Sequence, residues 1–543
     1  MILILILRSS VMEVFATMKL FTLLGGSAII GANAFSMLVK KKKGDPMATA
    51  DLKDSRELEG LIGNGMSISE DLSISQKFIN EGICIFGPTG SGKTTGYFMP
   101  NLLNEGIEGS LIVLDPKGEL YENTSYFQRT VCKRKVIRFA PLDPKLSYRY
   151  NLLENCKNTS EVLQLASTLL FNGALSIEIA TGRKGGGTEW ITMAEPLFAA
   201  ALLYVKGLGN PLNTVEYALN LLVNFSTADL FYLFEMTDNT DAKMQFDIFK
   251  TTIGSENTVS GIKITLASNI KLFLDPNINE VGSYTDFRFE DLRKEKTIVY
   301  ITYPEHKSLY ISPFMASLFT QMLNTLIESY KMGALPIRIL FDEFANIGMI
   351  SNMQGYASTV RSREISLNVC LQSITQLEQI YGKESASAII NNLKTKIFLP
   401  GLSDMTTLNY ASDLSGMKEI DLVSISEDKN DNRSYNYSKS TRNVLNPDEV
   451  RTLDTEELLI ITSNRQPIIS TQNTYYKNKL YTDRITKTPN IVIRNKYYDK
   501  EVKKEFKKLI QKHIELNKSL YNLENPKEET KDKKSLADEI FLD

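Results

Sequence analysis

The feature that most constrains the fold is a short stretch near the amino end, Phe86–Gly96, FGPTGSGKTTG. Gly87, Gly92, Lys93 and Thr94 fill the pattern G-x-x-x-x-G-K-[ST], and Gly90 adds a further glycine. Such a loop curls so that backbone N–H groups turn inward onto phosphate oxygens. Its lining would be Gly87, Pro88, Thr89, Gly90, Ser91, Gly92, Lys93, Thr94 and Thr95. Lys93 would reach the β- and γ-phosphates of ATP, and the Thr94 hydroxyl would hold Mg²⁺. The context supports the pattern. GICIF before the loop reads as a buried strand, and TTGYFMPNLL after it reads as a helix. The stretch predicts a nucleoside triphosphate site, but a pump, a motor, a kinase and a switch can all begin this way.

At 543 residues the chain exceeds one ordinary core, so roughly two or three domains are expected. Hydrophobic residues make up 43% and charged residues 23%, as in a globular protein. The formal net charge is −2, so a nucleic-acid surface would have to be a local patch. The four cysteines, Cys84, Cys132, Cys156 and Cys370, form no C-x-x-C pair. They read as small buried hydrophobes in a reducing compartment. With only two histidines, a histidine-based metal site is not expected.

Leu20–Val39, LFTLLGGSAIIGANAFSMLV, carries no charge and is followed directly by Lys40–Lys43. About 20 helical residues span the hydrocarbon of a bilayer. Lysines on one flank place the rest of the chain in the cytoplasm. This predicts a single-pass anchor in the inner or plasma membrane. A signal peptide cleaved after Ala32–Ala34 would instead export an ATP-binding domain and would set lysines against translocation. Met18–Lys19 reads as a natural start, with the residues before it an upstream extension.

The texture along the chain predicts an α/β fold with an all-α insertion. Strand runs alternate with helices over residues 44–155, which argues a parallel sheet. Helical spacing dominates 156–285. Alternation returns over 286–480, and 481–543 is a charged tail, helical at first and then disordered. Residues 1–43 hold the anchor.

IRILFDE predicts a strand ending in Asp342 and Glu343. Asp342 would hold Mg²⁺, and Glu343 would polarise the attacking water. Gln372 ends a later strand, SLNVCLQ, where an amide can sense a γ-phosphate or be an ordinary strand-end glutamine. Arg361 and Arg363 fit a phosphate or DNA contact or a solvated face. No N-K-x-D guanine motif follows the loop, and SDLSGM lies too late for a transporter signature. TGRKGGGTE, Thr181–Glu189, is either a loop that tracks DNA phosphates or a flexible connector.

Several segments together resemble the TraG/TraD-like coupling proteins of type IV secretion and conjugation, from the anchor to about Tyr476. They are GPTGSGKT, LIVLDPKGELYENT, SYRYNLL, ILFDEFANIG, LQSITQLEQIYG and LNPDEVRTLDTEELLIITSNRQPI, with Trp190 in the insertion. Leu152 stands where that family usually has proline. The resemblance implies a RecA-like P-loop nucleotide-binding domain with an inserted all-α domain, in a membrane-anchored homo-hexamer around a channel. Such proteins are ATPases that pass single-stranded DNA, with its bound relaxase, to the channel proteins of a type IV secretion system. It implies that Arg361 and Gln372 lie near the γ-phosphate, and that Asp115, Lys117 and Glu119 lie near the nucleotide. Many members have two transmembrane helices, whereas one is found here.

Two other functions compete. An FtsK-like DNA pump would lack D-P-K-G-E and the long insertion. A non-motor, ATP-gated receptor would dock the relaxase without driving movement.

Overall fold

A computed structural model of the chain describes residues 48–182, 188–253, 256–427, 433–489, 492–493 and 500–524. The apolar segment 20–39 with its lysines, residues 183–187 of the Gly-rich loop and the end of the charged tail lie outside the described residues.

The apolar runs form one nine-stranded sheet. Its strands are β1 (Ile83–Phe86), β2 (Ser110–Asp115), β3 (Lys135–Phe139), β4 (Thr297–Thr302), β5 (Ile337–Phe341), β6 (Ile365–Leu371), β7 (Thr395–Phe398), β8 (Glu457–Thr462) and β9 (Ile468–Thr471). In space they run β9-β8-β7-β1-β6-β5-β2-β4-β3. Neighbours from β7 to β3 are parallel, and β8 is antiparallel to both β7 and β9. Every residue of β1, β2, β4, β5, β6 and β7 is buried. That is why these strands read as continuous apolar runs rather than alternating ones: a parallel sheet is covered on both faces.

One face is covered by α1 (Glu119–Thr130) and the helix after the P-loop. Ile83, Ile85, Leu111, Val113 and Tyr300 share a core there with Tyr97, Phe98, Leu120 and Phe127. Between β3 and β4 the chain forms a helical insert. Its main helices are α2 (Thr159–Thr181), α3 (Thr188–Leu208), α4 (Val215–Asn224), α5 (Thr227–Glu235), α6 (Thr240–Thr252) and α7 (Glu256–Asn269). Side-chain caps set the starts of α2, α4, α5 and α6. Asn158 accepts from the Glu161 N–H at α2, and Ser226 forms a capping box with Asp229 at α5. Among the described residues α2 and α3 are long and apolar enough to cross a membrane. They are the insert's core helices, with Ala199, Ala200 and Ala201 of α3 fully buried. Trp190 of α3 lies against Gly261 of α7, where an added Cβ would come within 2.7 Å of the indole. Its role here is packing.

The other face of the sheet is covered by α8 (Ser308–Glu328). Its Phe319 meets Phe341 of β5, and its Phe314 stacks on Phe139 of β3. α2 packs in turn on α8, so the insert rests on the layer that backs the sheet.

The start of the charged tail runs along the nucleotide-binding part, where the Thr488 N–H bonds the Glu122 carbonyl and Arg484 the Leu103 carbonyl, and its later described part forms α9 (Lys500–Glu524). α9 lies on the insert. Phe506, Ile510 and Ile514 point inward, with Phe506 4.6 Å from the Tyr217 ring. Lys503 pairs with the buried Glu216 at 2.5 Å, and the Tyr204 hydroxyl bonds His513 Nδ1 at 2.7 Å.

A second compact unit contains an antiparallel hairpin, Met417–Glu427 with Arg433–Asn443. Its register pairs Val423 with Tyr437 and Ile425 with Tyr435, all four exposed.

Candidate functional site

In a parallel α/β sheet, ligands bind in the crevice beyond the carboxyl ends of the strands. Here that crevice collects the loop after β1, the end of β2, and the residues that follow β4, β5 and β6. It holds a cleft of about 330 Å³ lined by P-loop residues, Pro116, Lys117, Glu305, Asp342, Glu343 and Tyr476. A second cleft of about 550 Å³ shares Pro116, Lys117 and Glu305 with it and extends past Arg138 and His306.

The P-loop chain leaves β1 at Phe86 and re-enters helix at Lys93. Gly92 is left-handed at φ 96° and precedes a π-type turn, Lys93–Phe98, that runs into a short α-helix, Met99–Leu102. The crowding explains the glycine as well: a Cβ on Gly92 would come within 2.4 Å of Gln472 Oε1. Lys93 is buried and donates from Nζ to the Gly87 carbonyl at 2.7 Å and the Pro88 carbonyl at 3.2 Å. Its ammonium is therefore held inside the loop by its own backbone.

Asp342 and Glu343 follow β5, next but one to β1 in the sheet, with β6 between them. The Thr94 hydroxyl donates to Asp342 Oδ2 at 3.3 Å. Gln372, which follows β6, donates from Nε2 to Glu343 Oε1 at 3.1 Å. Asp115 ends β2 and accepts the Tyr121 N–H at 2.8 Å. Three carboxyl groups thus converge where little water reaches. Burial, with Asp115 and Glu343 adding repulsion, pushes the Asp342 carboxyl up to about 7. Burial also raises Asp115 to about 6, against the N–H groups that it accepts. Burial raises Glu343 as well, against the pull of Lys93 and the Gln372 amide. Buried carboxylates with a single lysine among them are short of positive charge. A divalent cation held by Asp342 and the Thr94 hydroxyl fits that deficit, and the donor set is all oxygen, as Mg²⁺ prefers.

The structure therefore brings together the P-loop, Lys93, Thr94, Asp342, Glu343 and Gln372. Lys117 stands at the mouth, 3.7 Å from Glu305. Glu119 opens α1 and lines the second cleft. Arg361 is not part of this site. It precedes β6, whereas Gln372 follows it, and its guanidinium pairs with Glu81 at 2.6 Å, ahead of β1. A strand of that length, at about 3.3 Å per residue, puts it roughly 20 Å from the crevice of its own chain. Arg363 lies on the same side, its guanidinium 5.8 Å from the Tyr330 ring.

Three residues at the site escape the sequence reading. Tyr303, just after β4, is buried with its hydroxyl unpartnered, and the acidic Glu343, Asp342 and Glu305 reinforce the effect of burial in raising its pKa. Gln472 and Tyr476 come from the chain beyond β9. The position of Tyr303 at a strand's carboxyl end was the available signal; Gln472 and Tyr476 carried none.

Residues 49–500 match the family described as Type IV secretory system Conjugative DNA transfer. The chain belongs to this family. Protein VirD4 of Agrobacterium fabrum is 26% identical over 403 residues, 73% of this chain and 59% of that one. The conjugal transfer protein TraG of Escherichia coli is 22% identical over 450 residues, covering 74% and 68%. The chain thus spans under two thirds of the length of VirD4. Among solved structures, the plasmid coupling protein TrwB in complex with ADP and Mg²⁺ superposes with a TM-score of 0.57 at 13% identity, covering 82% of this chain and 97% of that one. The likeness extends the family assignment to the fold: a mixed α/β domain with a large parallel sheet and a helical insert.

Proposed function

We propose that the chain is a membrane-anchored, ATP-hydrolysing coupling protein. It recruits a relaxase with its single-stranded DNA and drives the DNA into a type IV secretion channel. The observation that carries this is the convergence of two pairs on one cleft, Thr94 with Asp342 and Gln372 with Glu343. The first pair would hold Mg²⁺, which would neutralise charge at the transferring phosphoryl group. Glu343 orients and deprotonates the water in concert with attack, and the Gln372 amide fixes the carboxylate that does so. Lys93 turns from its backbone carbonyls to the β- and γ-phosphates when ATP enters.

A protomer of this kind is incomplete. Arg361 lies too far from its own cleft to meet a γ-phosphate, so it would serve the nucleotide of an adjoining subunit in a homo-hexameric ring, on a RecA-like plan. The anchor is the apolar segment 20–39, with the bulk of the chain cytoplasmic.

The test is ATP turnover by the purified full chain in detergent, with and without single-stranded DNA, over a range of protein concentrations. Turnover per subunit should rise with concentration and with DNA. Turnover indifferent to both would favour the ATP-gated receptor.

A further inference from the structure

We propose that Tyr476 is the platform on which the nucleotide base stacks, and that the site holds its base by this ring face without reading its edge. The proposal rests on the nucleotide-binding reading of the P-loop cleft and specifies how the rest of the nucleotide is held.

The cleft has two ends, set by the order of the sheet. The P-loop leaves β1 in the middle. On one side lie β6, β5 and β2, which bring Gln372, Asp342, Glu343 and Asp115. On the other lie β7, β8 and β9, and Tyr476 follows β9. The Mg²⁺ donors and the water-activating carboxylate mark the γ-phosphate end. The nucleoside must leave the loop away from them, toward Tyr476.

Local packing fixes the ring there. The Gln472 carboxamide donates to the Thr455 and Glu457 carbonyls at 3.0 and 3.4 Å. Its Oε1 is thereby wedged against the P-loop turn, where Cβ atoms on Gly92 and Gly96 would come within 2.4 and 3.2 Å of it. The short turn Tyr475–Lys477 then packs on Lys93–Phe98. Tyr475 meets Tyr476 edge-on at 5.5 Å, and Lys477 on its far side is tied to Glu456 at 2.5 Å. Tyr476 itself is 60% exposed, a large apolar face left open inside a cleft.

Among the described residues no other aromatic side chain lines that cleft. An aromatic face accepts any base, because every base has a π-face. Its other lining groups are the P-loop, a proline and charged residues already committed to the phosphate end or paired at the mouth. The site should therefore separate purine nucleotides from bare polyphosphate, but hardly ATP from GTP.

The test uses the full chain in detergent and three probes with Mg²⁺: ATP, GTP and inorganic tripolyphosphate, each titrated calorimetrically. Tyr476→Ala should weaken ATP and GTP alike, by about 5- to 100-fold, the range of base–aromatic stacking. Tripolyphosphate affinity should stay within about twofold, which also shows that the variant is folded. Tyr476→Phe should keep ATP affinity, since the ring and not the hydroxyl does the work. Unchanged ATP affinity in Tyr476→Ala overturns the proposal. So does a parallel loss of tripolyphosphate, which would make Tyr476 a structural support of the loop. A wild-type chain that binds neither ATP nor tripolyphosphate would instead overturn the nucleotide site itself, and the stacking with it.

Discussion

Asn172 of the helical insert grips the backbone of Met349 with both ends of its carboxamide. Its Oδ1 accepts the Met349 N–H at 2.7 Å and its Nδ2 donates to the Met349 carbonyl at 3.0 Å. Met349 follows the acidic pair Asp342–Glu343 along the chain, and Gly348 between them has no room for a Cβ, which would come within 2.7 Å of Asn172 Oδ1. A movement of α2 would therefore pull directly on the segment that follows Asp342 and Glu343. Thr168, one turn earlier on α2, bonds Ser351 at 2.9 Å and doubles the link.

Asn172→Ala should break this coupling. The stranded backbone groups should cost about 1–3 kcal/mol of stability, read from denaturant unfolding. Basal ATP turnover should stay within a few-fold of wild type, while its stimulation by single-stranded DNA disappears. Stimulation retained in full would show that α2 carries no signal to the site.

The three crowded carboxyls predict how the metal-free chain responds to pH. Asp342 has its ordinary value near 3.8 when unfolded and about 7 when folded. Between those values the folded state holds a proton that the unfolded state has lost, so stability falls as pH rises from about 4 to 7 and levels off above. Asp342→Asn removes this residue's share of the slope and leaves the smaller shares of Asp115 and Glu343. Without Mg²⁺ its melting temperature should exceed that of wild type at pH 8 and approach it at pH 4, in thermal unfolding with a chelator present. A wild-type melting temperature that climbs steadily from pH 4 to 8, and does so equally in Asp342→Asn, would contradict the buried-acid account.

α9 is held to the insert by one apolar face and by polar ties from Lys503, His513 and Asn517. Phe506→Ala removes the ring that meets Tyr217. A large-to-small change at a buried aromatic costs about 3–5 kcal/mol, more than a single docked helix can lose and stay bound. Limited proteolysis should then cut within Lys500–Glu524 while the rest of the chain melts at the wild-type temperature. Equal protection in the variant would mean that the helix is held elsewhere.

Much of this was legible in the sequence because the chemistry is local. A buried strand followed by a Gly-rich loop, and a buried strand followed by Asp342–Glu343, state their own geometry. So does the change to helical spacing at the insert. Arg361 is instructive in the other direction. Its motif placed it with Gln372, yet one residue precedes β6 and the other follows it, so the strand separates them by its whole length. Asn172, Gln472 and Tyr476 were illegible because their contacts arise from packing between segments remote in sequence. An asparagine within a helix looks the same whether it faces water or clasps a loop. The spacing of Phe506, Ile510 and Ile514 marked a helix with one apolar side, but nothing along the chain names the surface that receives it.

On the proposed function, hydrolysis and not nucleotide occupancy alone drives transfer. Glu343→Gln keeps the shape of the side chain and its neighbour Gln372 but removes the carboxylate charge. The variant should bind ATP with near wild-type affinity while turnover falls by about 10²- to 10⁴-fold. Lys93→Ala should weaken binding and turnover together. The measurement that decides is DNA transfer from donor cells that carry Glu343→Gln as their only copy, with its loss of hydrolysis verified on the purified protein. No transfer above background is expected; substantial transfer by that strain would rule out the motor and leave an ATP-gated receptor.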